Sequence, residues 1–138
     1  GGHPKAVRLF ENYKQVEIDY FQKTGIFPIM HLVVFRKSIV EQHPWVPMSM
    51  LKALRESLEI CYRRMENPRR YALCFVMQAL EEQKRIIGQD PWKFNFQDNK
   101  FILEKAIEYS YKQGMIKRKM NPEELFVPST LDVKPSYL

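Results

Sequence analysis

The chain has 138 residues, 45% of them hydrophobic and 28% charged, a balance that excludes a disordered or low-complexity polypeptide and is long enough to bury one ordinary core. Its net charge of +6 raises nucleic-acid binding, but the clusters Arg63-Arg64, Arg69-Arg70 and Lys117-Arg118-Lys119 fall at expected helix ends and turns, with no zinc-finger spacing, stacking platform or helix-turn-helix signature beside them. No apolar run approaches the roughly 20 residues that span a bilayer, and Cys61 and Cys74 sit in helical apolar patterns that suit buried thiols in a reducing, cytoplasmic compartment.

In chain order, Lys5 to Phe10 ends in apolar Leu9 and Phe10 and reads as the tail of a strand. Asn12 is placed to cap a helix to about Lys23, with Gln15 returning the bond and Gly25 ending it. Its buried stripe is Val16, Tyr20 and Phe21, or Tyr13, Val16 and Tyr20. Ile29 to Phe35 is almost continuously apolar and β-branched or aromatic, which suits a strand buried on both faces, with His31 its one polar interruption. Ser38 with Glu41 forms a capping box for a short helix that His43-Pro44 stops. A long helix then runs from Pro44–Pro47 to about Met65, with Leu51, Leu54, Leu58, Cys61 and Met65 on one face.

Asn67-Pro68 restarts the chain as cap and first-turn proline. The spacing predicts a helix from about Arg69 to Ile87, deeply packed over Tyr71 to Ala79, with Gly88 closing it. Gln89 to Phe96 is a loop holding Asp90-Pro91-Trp92, Phe94 and Phe96. Asp98 caps a helix to Gln113 carrying Phe101, Ile102, Ala106, Ile107 and Tyr109, and Asn121-Pro122-Glu123-Glu124 starts a last short turn. The inventory is α+β and helix-rich. A single buried strand cannot satisfy its own backbone, so it pairs either with another copy of the chain or with a sheet elsewhere in a larger protein.

Five blocks carry a resemblance: Arg8-Leu9-Phe10-Glu11-Asn12-Tyr13, Thr24-Gly25-Ile26-Phe27-Pro28-Ile29-Met30-His31, His43-Pro44-Trp45-Val46, Gly88-Gln89-Asp90-Pro91-Trp92, and Pro122 through Thr130. Together they resemble the C-terminal part of the 4,5-dihydroxyphthalate decarboxylase family. The resemblance implies the C-terminal portion of a type II periplasmic-binding-protein-like fold, with two α/β lobes and a cleft between them. Residues 1–36 would then be the end of the second lobe and the return crossing strand, and 37–138 a helical region packing on the first lobe. It also implies that the chain is less than half of such a protein and inactive alone.

The implied reaction removes carbon dioxide from an aromatic dicarboxylate bearing two hydroxyls, giving a dihydroxybenzoate. Such chemistry asks for an acid or base near neutrality, cations for the retained carboxylate, and an apolar wall beside the leaving one. His31 supplies an imidazole, whose ordinary titration lies near neutrality, and Arg36 is the nearest carboxylate clamp. Phe27, Met30 and Trp92 complete the substrate-binding set. Each has a structural alternative: His31 as a satisfied core residue, Arg36 as a solvated charge, Phe27, Met30 and Trp92 as packing, and His43 and Trp45 as shapers of a helix start. The histidines His3, His31 and His43 share no helical face and no Cys-x-x-Cys occurs, so no metal site is expected, and the sequence assigns no cofactor. Two other functions keep the residues without the chemistry: a solute-binding domain for an anionic small molecule, or a helical module that dimerises through the strand. The expected partners are an aromatic dicarboxylate and either further copies of the chain or the remainder of the protein.

Overall fold

Among the described residues, His3 and 5–134 of a computed structural model, the regular structure is helical. The α-helices are α1 (Tyr13–Thr24), α2 (Lys37–Gln42), α3 (Val46–Met65), α4 (Val76–Ile86) and α5 (Phe96–Lys112), with 3-10 turns at Pro68–Arg70, Pro122–Leu125 and Pro128–Thr130.

The best-packed part is α5 with the C-terminal turns. Asn95 begins α5 as a true cap: its side chain accepts from the Asp98 amide at 2.7 Å and donates to the Asp98 carboxylate at 2.7 Å. The helix therefore starts earlier than expected, and Asp98 is the cap's partner at the third position of the first turn rather than the cap itself. Phe96, Leu103 and Ile107 are its buried residues, while Phe101 and Tyr109 stay about half exposed. The Phe96 ring meets Phe126 edge-on at 5.1 Å, which seats Pro122–Leu125 on α5. Lys100 pairs with Glu123 across the same junction, and Gln97 Nε2 donates to the Leu131 carbonyl at 3.1 Å. Arg118 grips Glu124 with both terminal nitrogens, and Glu124 also accepts from the Asn121 amide at 2.9 Å. These contacts hold the Glu124 carboxyl down to about 2, the Arg118 hydrogen bonds being the largest cause.

Elsewhere several expectations are corrected. Gly25 ends α1 as predicted, at φ 67° with its amide on the Phe21 carbonyl at 2.7 Å, a left-handed turn that favours glycine. Asn12, however, makes no side-chain cap, its backbone lying at φ −93° and ψ 42°, outside the extended geometry of a cap, and the Gln15 side chain donates to Asp19 rather than returning to it. No residue of α1 is fully buried. Arg36, not Ser38, occupies the cap position of α2, and Glu41 faces Lys37 at 3.6 Å, so the second capping box does not form. The helix expected from Arg69 begins only at Val76. Asn67 caps a single 3-10 turn, with its side chain accepting from the Arg69 amide at 3.1 Å, and Tyr71 leaves that turn in extended geometry. Leu73 (66% exposed) and Phe75 (76%) face solvent rather than a core. Without a complementary surface those apolar side chains lose the packing that stabilises most protein helices.

The largest correction concerns the strand. Residues 25–36 run without helix, turn or bend, but no strand forms among the described residues, at Ile29–Phe35 or at Leu9–Phe10. No backbone group of residues 27–35 hydrogen-bonds to another described backbone group. A ladder needs a second extended segment laid alongside, and no other described segment pairs its backbone with 29–35. The expected two-faced burial is absent too: Met30 (66%), Val33 (57%) and Val34 (89%) are open to solvent. The chain exposes 11375 Å² in all, half as much again as the about 7,600 Å² expected of a compact monomer of this mass.

Candidate functional site

An apolar groove of about 540 Å³ lies between the 26–32 segment, α1 and α5. Ile26, Ile102 and Leu103 give it an apolar floor, and its polar groups are His31, Lys105, Tyr20 and Tyr109. The local sequence accounts for this placement. Gly25 turns the chain sharply out of α1, the Ile26 amide then bonds the Thr24 hydroxyl at 3.1 Å, and Ile26 is buried against the groove floor. Pro28 and Ile29 follow along the wall and bring His31 opposite the α5 face that carries Lys105 and Tyr109. On α5, Ile102, Lys105, Ala106 and Tyr109 recur at spacings of three and four, so one helical face supplies that wall.

The electrostatics of the rim centre on Glu108. Its carboxylate accepts from Lys112 Nζ at 2.6 Å and from Lys105 Nζ at 3.1 Å, and these hydrogen bonds, that from Lys112 first, hold its carboxyl down to about 2. Two ammonium groups therefore share one carboxylate, leaving a net positive charge beside an apolar groove. Lys105 also lies 5.9 Å from the centre of the Phe101 ring. This arrangement can hold one anionic group at the rim and an aromatic body against the floor.

A second network fixes the wall from behind. Asp90 accepts from Arg55 Nη1 at 2.6 Å and from the Tyr62 hydroxyl at 3.1 Å, tying the Asp90-Pro91-Trp92 loop to α3. Burial, with the Asp90 carboxylate next in weight, pushes the Tyr62 hydroxyl up to about 12. Trp92, held on that loop, meets Phe27 edge-on at 5.1 Å with the rings 84° apart. Phe27 adjoins Pro28, so the Asp90 clamp reaches the groove through two aromatic rings.

The sequence-derived residues thus divide. His31 and Met30 line the groove. Phe27 and Trp92 pack on each other beside it. Arg36 caps the start of α2, five residues beyond His31, and does not line the groove. His43 and Trp45 meet each other at 6.2 Å, at the junction of α2 and α3. Lys105 was missed. Its signal was the α5 spacing of Ile102, Lys105 and Tyr109, which becomes meaningful only once the 26–32 segment lies against that face. Among the described residues, no group of three or more His, Cys, Asp or Glu is placed to hold a metal.

The chain is 31% identical over 133 residues to a 4,5-dihydroxyphthalate decarboxylase of Comamonas testosteroni. That relative carries the name of the family whose motifs the sequence resembles. The match takes in 95% of this chain and 40% of the relative, so the chain spans about two-fifths of the length of the curated relative it matches. No protein-family model matches it. The aligned stretch necessarily includes most of the groove, since its lining runs from Tyr20 to Tyr109. No helix of the described residues is long and apolar enough to cross a membrane.

Proposed function

We propose that this chain forms one wall of the substrate cleft of an aromatic-acid decarboxylase, a carbon–carbon lyase that takes a 4,5-dihydroxyphthalate-type substrate to a dihydroxybenzoate. The observation that carries the reading is the groove that sets His31 opposite Lys105, in a chain similar over 95% of its length to a protein named for that reaction. On this reading the chain corresponds to the C-terminal portion of a type II periplasmic-binding-protein-like fold, with 1–36 closing the second lobe and 37–138 packing on the first. It acts with the remainder of the protein, in the cytoplasm, where Cys61 and Cys74 stay free thiols as they are in the fold.

In this mechanism Lys105 holds the retained carboxylate at the rim, a charge-assisted contact. The ring lies on Ile26, Ile102 and Leu103, and the carboxylate to be lost faces that dry surface. The His31 imidazolium gives its proton to the ring carbon bearing the leaving carboxylate. The carbon–carbon bond then breaks, its electron pair returns to the ring, and carbon dioxide departs neutral. The imidazole regains its proton from water. Arg36, outside the groove, has no role in these steps.

The test is incubation of 4,5-dihydroxyphthalate with the protein that contains this segment, following dihydroxybenzoate and carbon dioxide. His31→Ala is expected to lower kcat by at least about 100-fold with KM within about threefold, the size of a lost general acid. Lys105→Met is expected to raise KM by roughly tenfold or more, the size of a lost charge-assisted hydrogen bond. Binding of the dicarboxylate by the same groove without product would replace this reading with a solute-binding one, which the groove's apolar floor and single cationic rim equally serve.

A further inference from the structure

The groove carries two phenols that the proposed steps leave idle. Tyr20 stands on α1 and Tyr109 on α5, so they come to the groove from different walls. Each is close to half exposed, and neither hydroxyl has a hydrogen-bond partner among the described residues. Beyond the helix ladder only their main-chain carbonyls are engaged, Tyr20 by the Thr24 hydroxyl at 2.7 Å and Tyr109 by the Gln113 amide at 2.9 Å. The Tyr62 hydroxyl, by contrast, is committed to Asp90.

A dihydroxylated ring laid on Ile26, Ile102 and Leu103 gives up water at its hydroxyls, which costs free energy unless a new partner takes each bond. His31 and Lys105 are used at the carboxylate edge, so Tyr20 and Tyr109 are the polar side chains of the groove that remain. A phenol suits the task, because it both donates and accepts and adds no charge beside the Lys105 ammonium. The spacing on α5 agrees. Lys105 and Tyr109 lie four residues apart on one helical face, about 6 Å along the axis. That is close to the span between para substituents of a benzene ring, so a ring anchored at Lys105 by its carboxylate brings its para hydroxyl to Tyr109.

We propose that Tyr20 and Tyr109 are specificity-determining residues that select a ring with two adjacent hydroxyls. Tyr109 bonds the hydroxyl para to the retained carboxylate, and Tyr20, across the groove, bonds the hydroxyl next to it. This rests on the reading that Lys105 holds the retained carboxylate. Both tyrosines stay partly hydrated, so the selection has the size of ordinary neutral hydrogen bonds, roughly threefold to tenfold per hydroxyl. A fully buried hydroxyl-reading site would discriminate far more strongly.

The experiment titrates the protein that contains this segment with benzoate, 4-hydroxybenzoate and 3,4-dihydroxybenzoate, following heat of binding, with turnover of 4,5-dihydroxyphthalate measured beside it. The three probes keep the retained carboxylate and add the hydroxyls one at a time. Each addition is expected to tighten binding by roughly threefold to tenfold. Tyr109→Phe should abolish the first gain and Tyr20→Phe the second, with benzoate affinity within about twofold in both, since only a hydroxyl is removed. Gains that persist in the variants overturn the assignment, and turnover in the same protein then leaves the decarboxylase reading standing. Gains lost as expected, in a protein that releases no carbon dioxide, uphold the two tyrosines and sink the decarboxylase reading. Benzoate binding lost together with the gains overturns the assignment in favour of a packing role. An unsubstituted protein that binds none of the three probes overturns it as well.

Discussion

The α5 region and the 26–36 segment are similarly apolar and meet opposite fates. Phe96, Leu103 and Ile107 are buried because Phe126, Pro122 and Ile26 come down on them, and caps and ion pairs at Asn95, Glu123 and Glu124 hold those pieces in register. Leu32, Val33 and Val34 form an unbroken apolar run, yet they remain open because no described element offers them a surface. Hydrophobicity set which residues could form a core, and complementary neighbours set which of them did.

The strongest way to break this contrast is to truncate one side chain in each region. Leu103→Ala should cost about 2–4 kcal/mol of unfolding free energy, measured by urea titration of the helical signal, because Leu103 is 6% exposed and its site cannot collapse freely. Val34→Ala, at a residue 89% exposed, should change it by less than about 0.5 kcal/mol. Equal effects would mean that the 26–36 segment is packed in solution.

A smaller effect sharpens the link between the regions. Asp90→Ala removes the shared acceptor of Arg55 and Tyr62, two partly buried donors, and should cost about 1–3 kcal/mol. The Tyr62 hydroxyl, followed by absorbance at 295 nm, should titrate below its present value of about 12 while staying above the ordinary 10.0, since burial is the larger cause and survives the change. Trp92 fluorescence should shift to the red as its loop comes free of α3. An unchanged Trp92 spectrum would show that Phe27 alone holds the indole.

The smallest effect is acid sensitivity in the α5 region. Glu108 and Glu124 have folded values of about 2 against an ordinary 4.5. A carboxyl depressed on folding contributes stability above its unfolded value, and that contribution is lost as pH falls through the folded one. The urea midpoint should therefore decline between pH 4.5 and 2, more weakly in 0.5 M salt. Glu124→Gln should flatten part of that decline, and only part, because its side chain is 40% exposed and solvent weakens the pair. A decline that is insensitive to salt would point to groups other than these pairs.

Much of the chain was legible from the sequence: α1 with its Gly25 stop, the α2 stop at His43-Pro44, α3 nearly end to end, and the Asn121-Pro122 turn. Each rests on local chemistry, either a helical period or a residue with a restricted backbone. His31 was also legible, as the one polar group in an apolar run. Caps were less so: Asn12 and Ser38 had the right side chains, but Asn12 lies outside the extended geometry of a cap, and α2 begins at Lys37, ahead of Ser38.

By itself, then, the sequence determined where the helices run, where glycine and proline end them, and that 29–35 prefers an extended backbone. Those are properties of single residues and of neighbours three or four apart. Only the tertiary structure decided that Tyr71–Phe75 would not be helical, that the 29–35 segment would find no ladder, and that Lys105 rather than Arg36 would face His31 across a groove. Each of these depends on a partner surface remote in the chain. Helical and strand periods state which face of an element is apolar, and they do not state what that face will meet.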